Sequence, residues 1–122
     1  LQKMGEWYEE GIIHYTLADV MVRSKSEVII CNMLHEREIP FRYEFPCFAP
    51  DGTFYLPDFT LNWHGETWYW EHLGLMEQEQ YRNHWKTKKD WYDRYFPNRL
   101  VTTEESGNLS KDAERLISEY FS

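Results

Sequence analysis

The sequence predicts an α/β fold in which a mixed central sheet is covered by helices on both faces. Three observations lead there. Helical and strand-like patterns follow one another as helix, three strands, helix, strand, helix, and strands gathered between helices pack as a layered sheet. The 122 residues suffice for one core but not two. No repeat, low-complexity tract or linker interrupts them, so residues 1–122 read as a single domain.

Residues 1–22 carry Trp7, Tyr8, Ile12, Ile13 and Tyr15, which suggest a packed lead-in of no defined type. A helix is then well signalled. Ser24-Lys25-Ser26-Glu27 fits a capping box, an apolar run from Val28 to Leu34 follows, and Ile39-Pro40 ends it. Phe41–Phe48 is an aromatic-rich strand, and Pro50-Asp51-Gly52 a turn. Thr53–Asn62 is the second strand. A turn around His64-Gly65 leads into the third, Glu66–Leu73, which Gly74 closes. Residues 77–95 form a long amphipathic helix stopped by Phe96-Pro97. Arg99–Thr103 is a short strand, Ser106-Gly107-Asn108 a loop, and Ser110–Phe121 a last helix capped by Ser110.

Composition excludes several classes of function. No run of about 18 apolar residues exists, so no membrane helix is expected, and no basic region precedes an apolar stretch as in a signal peptide. The chain opens on Leu1, as expected of a segment cut from a longer protein. Cys31 and Cys47 sit in apolar surroundings and read as reduced thiols rather than a disulfide, which points to a cytoplasmic setting. His14, His35, His64 and His84 lack metal-ligand spacing and no Cys-x-x-Cys occurs, which argues against zinc. Without a Gly-rich phosphate loop the chain does not bind ATP by itself. The net charge of −8 weighs against a protein that grips nucleic acid unaided, unless some acids hold divalent cations that reverse the local charge.

Three acids fall where this layout can gather them. Asp58 follows Pro57 on the second strand, and Glu71 lies on the third. Strand alternation puts Leu56, Asp58 and Thr60 on one face and Tyr69, Glu71 and Leu73 on one face of its hairpin partner. Among Phe54, Tyr55, Phe59, Trp68 and Trp70, unpaired carboxylates are costly to bury, and a hard divalent cation with oxygen ligands resolves the cost. Glu27 shares a helical stripe with Cys31 and Leu34 and is the third candidate, as a direct ligand or one step behind.

Ser26-Glu27, Tyr55-Leu56-Pro57-Asp58-Phe59 and Trp70-Glu71-His72-Leu73-Gly74 together resemble the PD-(D/E)XK nuclease superfamily, with its restriction-endonuclease-like α/β/α sandwich. The order of helix Glu, Pro-Asp and strand Glu is that of archaeal Holliday-junction resolvases. The Trp-Glu-His-Leu-Gly variant is most similar to nuclease domains attached to superfamily 1 (UvrD-type) DNA helicases. The resemblance spans roughly Arg23 to Tyr95. It implies a Mg²⁺- or Mn²⁺-dependent deoxyribonuclease in a DNA-processing protein, with DNA and a fused helicase as partners. The metal would be held by Asp58, Glu71 and the backbone carbonyl of His72, with Glu27 beside them.

One position departs from the pattern, because Leu73 stands where the superfamily has lysine. Members of the superfamily relocate that lysine to a nearby helix. Glu77, Tyr81, Trp85, Lys88 and Tyr92 form one helical stripe, while Lys86 points to the opposite side and Lys89 lies near the edge. Lys88 is therefore the expected replacement and Lys25 the reserve.

Plainer roles compete. Glu27 can act as the reciprocal partner of a capping box, Glu71 can pair with a cross-strand cation, and Lys88 can lie over the aromatics. Glu44 reads as solvated or cross-strand paired, and His72 as a structural residue that lends its carbonyl. Two other functions stay open: an inactive member of the fold that docks DNA or a protein, and an aromatic-rich interaction domain whose acids are structural.

Overall fold

Residues 11–12 and 14–122 are described by a computed structural model; Trp7, Tyr8 and Ile13 of the expected lead-in lie outside them. The elements run β1 (His14–Tyr15), β2 (Met21–Val22), α1 (Lys25–Glu36), β3 (Phe41–Tyr43), β4 (Cys47–Phe48) and β5 (Phe54–Tyr55). Then come β6 (Phe59–Trp63), β7 (Glu66–Leu73), α2 (Glu79–Tyr95), β8 (Leu100–Glu104) and α3 (Leu109–Tyr120). The central sheet has the order β3-β6-β7-β8. Its first three strands are antiparallel and β8 joins β7 in parallel, so the sheet is mixed.

Both faces are covered. Phe59, Leu61, Trp70 and Val101 project to one side and meet Ile30, Cys31 and Leu34 of α1 and Ala113 and Ile117 of α3. Each fully buried side chain of this size stabilises the fold by about 1.5–3 kcal/mol. On the other side Tyr69 packs with Trp91 and Tyr92 of α2 and with Cys47 of β4. Cys31 and Cys47 are thus on opposite faces, buried and free. Among the described residues no helix is long and apolar enough to cross a membrane.

Two expected strands are each broken in two. Phe41–Phe48 divides because Glu44 takes φ 49°, outside strand geometry, and Pro46 has no amide to donate. Thr53–Asn62 divides at Pro57 for the second reason. The detached halves β4 and β5 pair with each other as a short ribbon on the α2 side. The Asp51-Gly52 turn joins them, with Gly52 at φ +90°. His64 and Gly65 both have positive φ, the primed geometry that suits a two-residue hairpin between β6 and β7.

Helix starts also shift. Ser24 Oγ accepts the Glu27 amide at 3.1 Å, as a capping box requires, but the Glu27 carboxylate turns to the Arg23 amide instead of closing the box. α2 begins at Glu79, so Glu77 lies outside it. α3 begins at Leu109 behind Asn108, so Ser110 is its second residue rather than its cap. Neither of these two helices has a side-chain cap bond.

Candidate active site

The β6–β7 register pairs Phe59 with Trp70, so Asp58, one residue earlier, falls opposite Glu71. Both acids project to the α2 side, because the residues between them in alternation, Phe59 and Trp70, are buried on the other. Asp58 keeps a partly open position, while Glu71 is 3 % exposed. One Asp58 oxygen, Oδ2, accepts the His72 backbone amide at 2.6 Å. The Glu44 amide donates to the Asp58 carbonyl, so the irregular loop after β3 ties this residue in place.

Glu71 Oε2 accepts the Tyr92 hydroxyl at 2.6 Å and meets Lys88 Nζ at 2.5 Å. Both partners come from α2, one turn apart on the sheet-facing stripe. Lys88 Nζ also lies 5.3 Å from the centre of the Tyr55 ring, so a cation–π contact accompanies the ion pair. Lys25, in contrast, is exposed at the start of α1, on the opposite side of the sheet. Leu73 is buried at the end of β7 and offers no donor.

Glu27 sits at the head of α1. Its Oε1 accepts the Tyr43 hydroxyl at 2.9 Å and the Arg23 amide at 3.1 Å. Arg23 Nε in turn pairs with Glu44 Oε2 at 2.7 Å, so Glu44 is neither solvated nor paired across strands: its partner comes from the turn before α1.

The charges are unbalanced. Burial, then the negative charges of Glu71 and Glu27, push the Asp58 carboxyl well above the usual carboxylate range, against the His72 amide and Lys88. Burial raises Glu27 as well, helped by the charge of Glu44 and opposed by Tyr43, the Arg23 amide and Ser24. Tyr43 and Tyr92 are pushed far up by burial and by the neighbouring carboxylates, so both remain protonated donors. A hollow of about 470 Å³ opens beside this cluster, lined by Tyr55, Glu71, Leu73, Tyr81, Trp85 and Lys88 among others.

The donor set can be tested against a hard cation. Among the described residues no three carboxylate, imidazole or thiol side chains close round one point. Two carboxylates nonetheless share the α2 side of the sheet, next to a main-chain oxygen at the same end of β7. In the parallel β7–β8 ladder the Tyr69 amide and the Leu73 carbonyl bond toward β8. By alternation the His72 amide and carbonyl face the β6 edge, where the amide indeed meets Asp58. Surplus negative charge on Asp58, with Glu71 opposite and a carbonyl alongside, fits an oxygen-ligated divalent ion. Glu27, with one oxygen held by Tyr43, adds charge from behind Asp58 rather than closing a cage.

Several contributors escaped the sequence. Tyr43 bears on Glu27 from β3, and no spacing signals it; the Arg23 amide is local, just before the α1 cap, but the capping pattern directs the Glu27 carboxylate elsewhere. Tyr92 was visible in the α2 stripe, yet its hydroxyl role looked like packing. The His72 ring lies on the other face, with Nδ1 2.8 Å from Thr103 Oγ1 and Nε2 3.2 Å from Glu105. The ring thus points away from Asp58 and Glu71.

No family model matches the chain, and no solved structure matches it. Over 76 residues, 62 % of this chain, it is 38 % identical to the uncharacterized protein MJ1519 of Methanocaldococcus jannaschii. The match covers 6 % of that protein's length, so the similar segment is a small part of a long chain.

Proposed function

We propose that the chain is a metal-dependent nuclease domain of the PD-(D/E)XK type, on a restriction-endonuclease-like sandwich, that hydrolyses DNA phosphodiester bonds. The observation that carries this reading is the convergence of Asp58, Glu71 and Lys88 on one sheet face, with more negative charge than Lys88 offsets. Asp58, Glu71 and the His72 carbonyl would hold Mg²⁺ or Mn²⁺. Once bound, the ion would polarise the scissile phosphate and lower the pKa of a water.

The remaining roles belong to the chain. Tyr92 fixes the Glu71 carboxylate, and the His72 amide fixes that of Asp58. Lys88, standing where Leu73 cannot serve, presents an ammonium that orients the attacking water or meets charge developing on the phosphate. Tyr81 accepts the Gly74 amide at 3.1 Å and braces the end of β7 against α2. The long relative accords with a module of a larger protein. In this reading that protein processes DNA, and a fused helicase is the partner that would deliver DNA to an acidic domain.

The test is cleavage of single-stranded, duplex and branched DNA with Mg²⁺, Mn²⁺ or EDTA, with Asp58→Ala and Lys88→Ala run beside the unaltered chain. Metal-dependent cutting lost in both variants supports the assignment. Cutting that survives Asp58→Ala, or no cutting with either metal, removes it. Leu73 favours a second reading, an inactive nuclease fold in which Lys88–Glu71 is only a structural ion pair, and the absence of cutting would select it.

A further inference from the structure

A second hollow, of about 550 Å³, lies on the same sheet face. Its floor includes Thr60 and Asn62 of β6 and Thr67 and Tyr69 of β7. The register pairs Thr60 with Tyr69 and Asn62 with Thr67. These are the next two rows after Asp58 opposite Glu71, and each row is about 7 Å further along the strands. The floor therefore continues the row of acids.

The β4–β5 ribbon separates the two hollows. Tyr55 on its inner face lies under Lys88, while Phe48 borders the second hollow. On the outer face Phe48 and Phe54 are 63 % and 48 % exposed, with ring centres 5.1 Å apart. Two adjoining aromatic rings left in water mark a contact surface rather than core. Arg42 is stacked 4.6 Å from the Phe45 ring at the far wall, and no described residue lining the hollow is acidic. In a chain of net charge −8 this is a locally cationic, aromatic site. Thr60 Oγ1 is buried at its floor without a hydrogen-bond partner among the described residues.

We infer that this hollow takes an unpaired nucleobase of the strand whose neighbouring phosphodiester lies at Asp58 and Glu71, so that the substrate class is single-stranded or frayed nucleic acid. The inference rests on the nuclease reading. Phe48 and Phe54 form the stacking ridge over which the strand passes, and Arg42 meets its phosphate. A duplex keeps its base faces covered and cannot use the rings, and one arginine offers its phosphates little grip. A single strand instead offers base faces to the rings, and stacking supplies the grip that few cations provide.

The test is fluorescence anisotropy with a labelled oligothymidylate and a blunt duplex of equal length, in EDTA and in Mg²⁺, on the full 122-residue chain. Cleavage is followed separately. The expected result is preference for the single strand, weakened roughly five- to hundredfold by Phe48→Ala. Thr67→Trp, which fills the hollow from an exposed strand position, should weaken it comparably. Equal affinity for the duplex, or single-strand binding unchanged in both variants, overturns the inference while metal-dependent cutting leaves the nuclease reading standing. Variant-sensitive binding by a chain that cuts nothing would support the pocket and remove the nuclease reading.

Discussion

Asp58 is held where its own charge works against the fold. Burial and the charges of Glu71 and Glu27 raise its carboxyl in the folded chain, so its ionised form opposes folding above the unfolded carboxylate range. That penalty is relieved as pH falls through the raised folded value. Asp58→Asn keeps an acceptor for the His72 amide and should raise the metal-free melting temperature at pH 7, each kcal/mol moving it by roughly 2–8 °C. The gain should shrink toward pH 5 as the wild-type carboxyl protonates. Thermal melts in EDTA at both pH values decide this, and a lower melting temperature at pH 7 would refute the electrostatic account. Lys88 behaves oppositely. Lys88→Ala leaves Glu71 buried without its cation and should cost about 3 kcal/mol. Adding Glu71→Gln should restore much of that stability without restoring cleavage, a coupling that urea melts of the double-mutant cycle would measure. Asp58, Glu71 and Lys88 were legible because a period of two and a period of 3.6 fix which face each side chain takes. The tie from Tyr43 to Glu27 was not legible, because Tyr43 approaches from β3, and the Arg23 amide takes the place that a closed capping box gives to the Ser24 amide.

At the scale of elements, the head of α1 is the clearest local device. Ser24→Ala should destabilise the chain by about 1 kcal/mol and Ser24→Gly by only a few tenths, since glycine also suits an N-cap. Denaturant midpoints for the two variants check the order, and equal losses would mean that the hydroxyl's contact with the Glu27 amide contributes little. The capping signal was readable; the direction of the Glu27 side chain was not, because the Arg23 amide and Tyr43 compete for it. The same lesson applies to the strands. Their aromatic, β-branched composition announced them, but composition did not reveal that Glu44 and Pro57 cut two long strands into sheet and ribbon. Ser110 lost the cap position to Asn108, since helix ends are set by the loop that delivers them as much as by the capping residue.

For the whole molecule, the balance of charge makes the strongest prediction. With net charge −8 and its surplus gathered partly around Asp58, the folded chain should be stabilised by divalent cations in proportion to occupancy, about 2.7 kcal/mol at a hundred times the dissociation constant. Calorimetry with Mg²⁺ and Mn²⁺ should show a melting temperature that climbs with metal in the unaltered chain and stays flat in Asp58→Ala. A flat response in the unaltered chain would leave the acids without a metal. By itself the sequence determined the α/β class, the order of the main helices and strands, and the placing of Asp58 and Glu71 on a shared hairpin, because hydrophobic period and turn chemistry are local. Only the tertiary structure decided that β8 pairs in parallel with β7, that the ribbon leaves the sheet, and that Lys88 rather than Lys25 reaches Glu71. Those outcomes depend on which surfaces meet across the core, and packing between residues far apart in the chain is what no local pattern records.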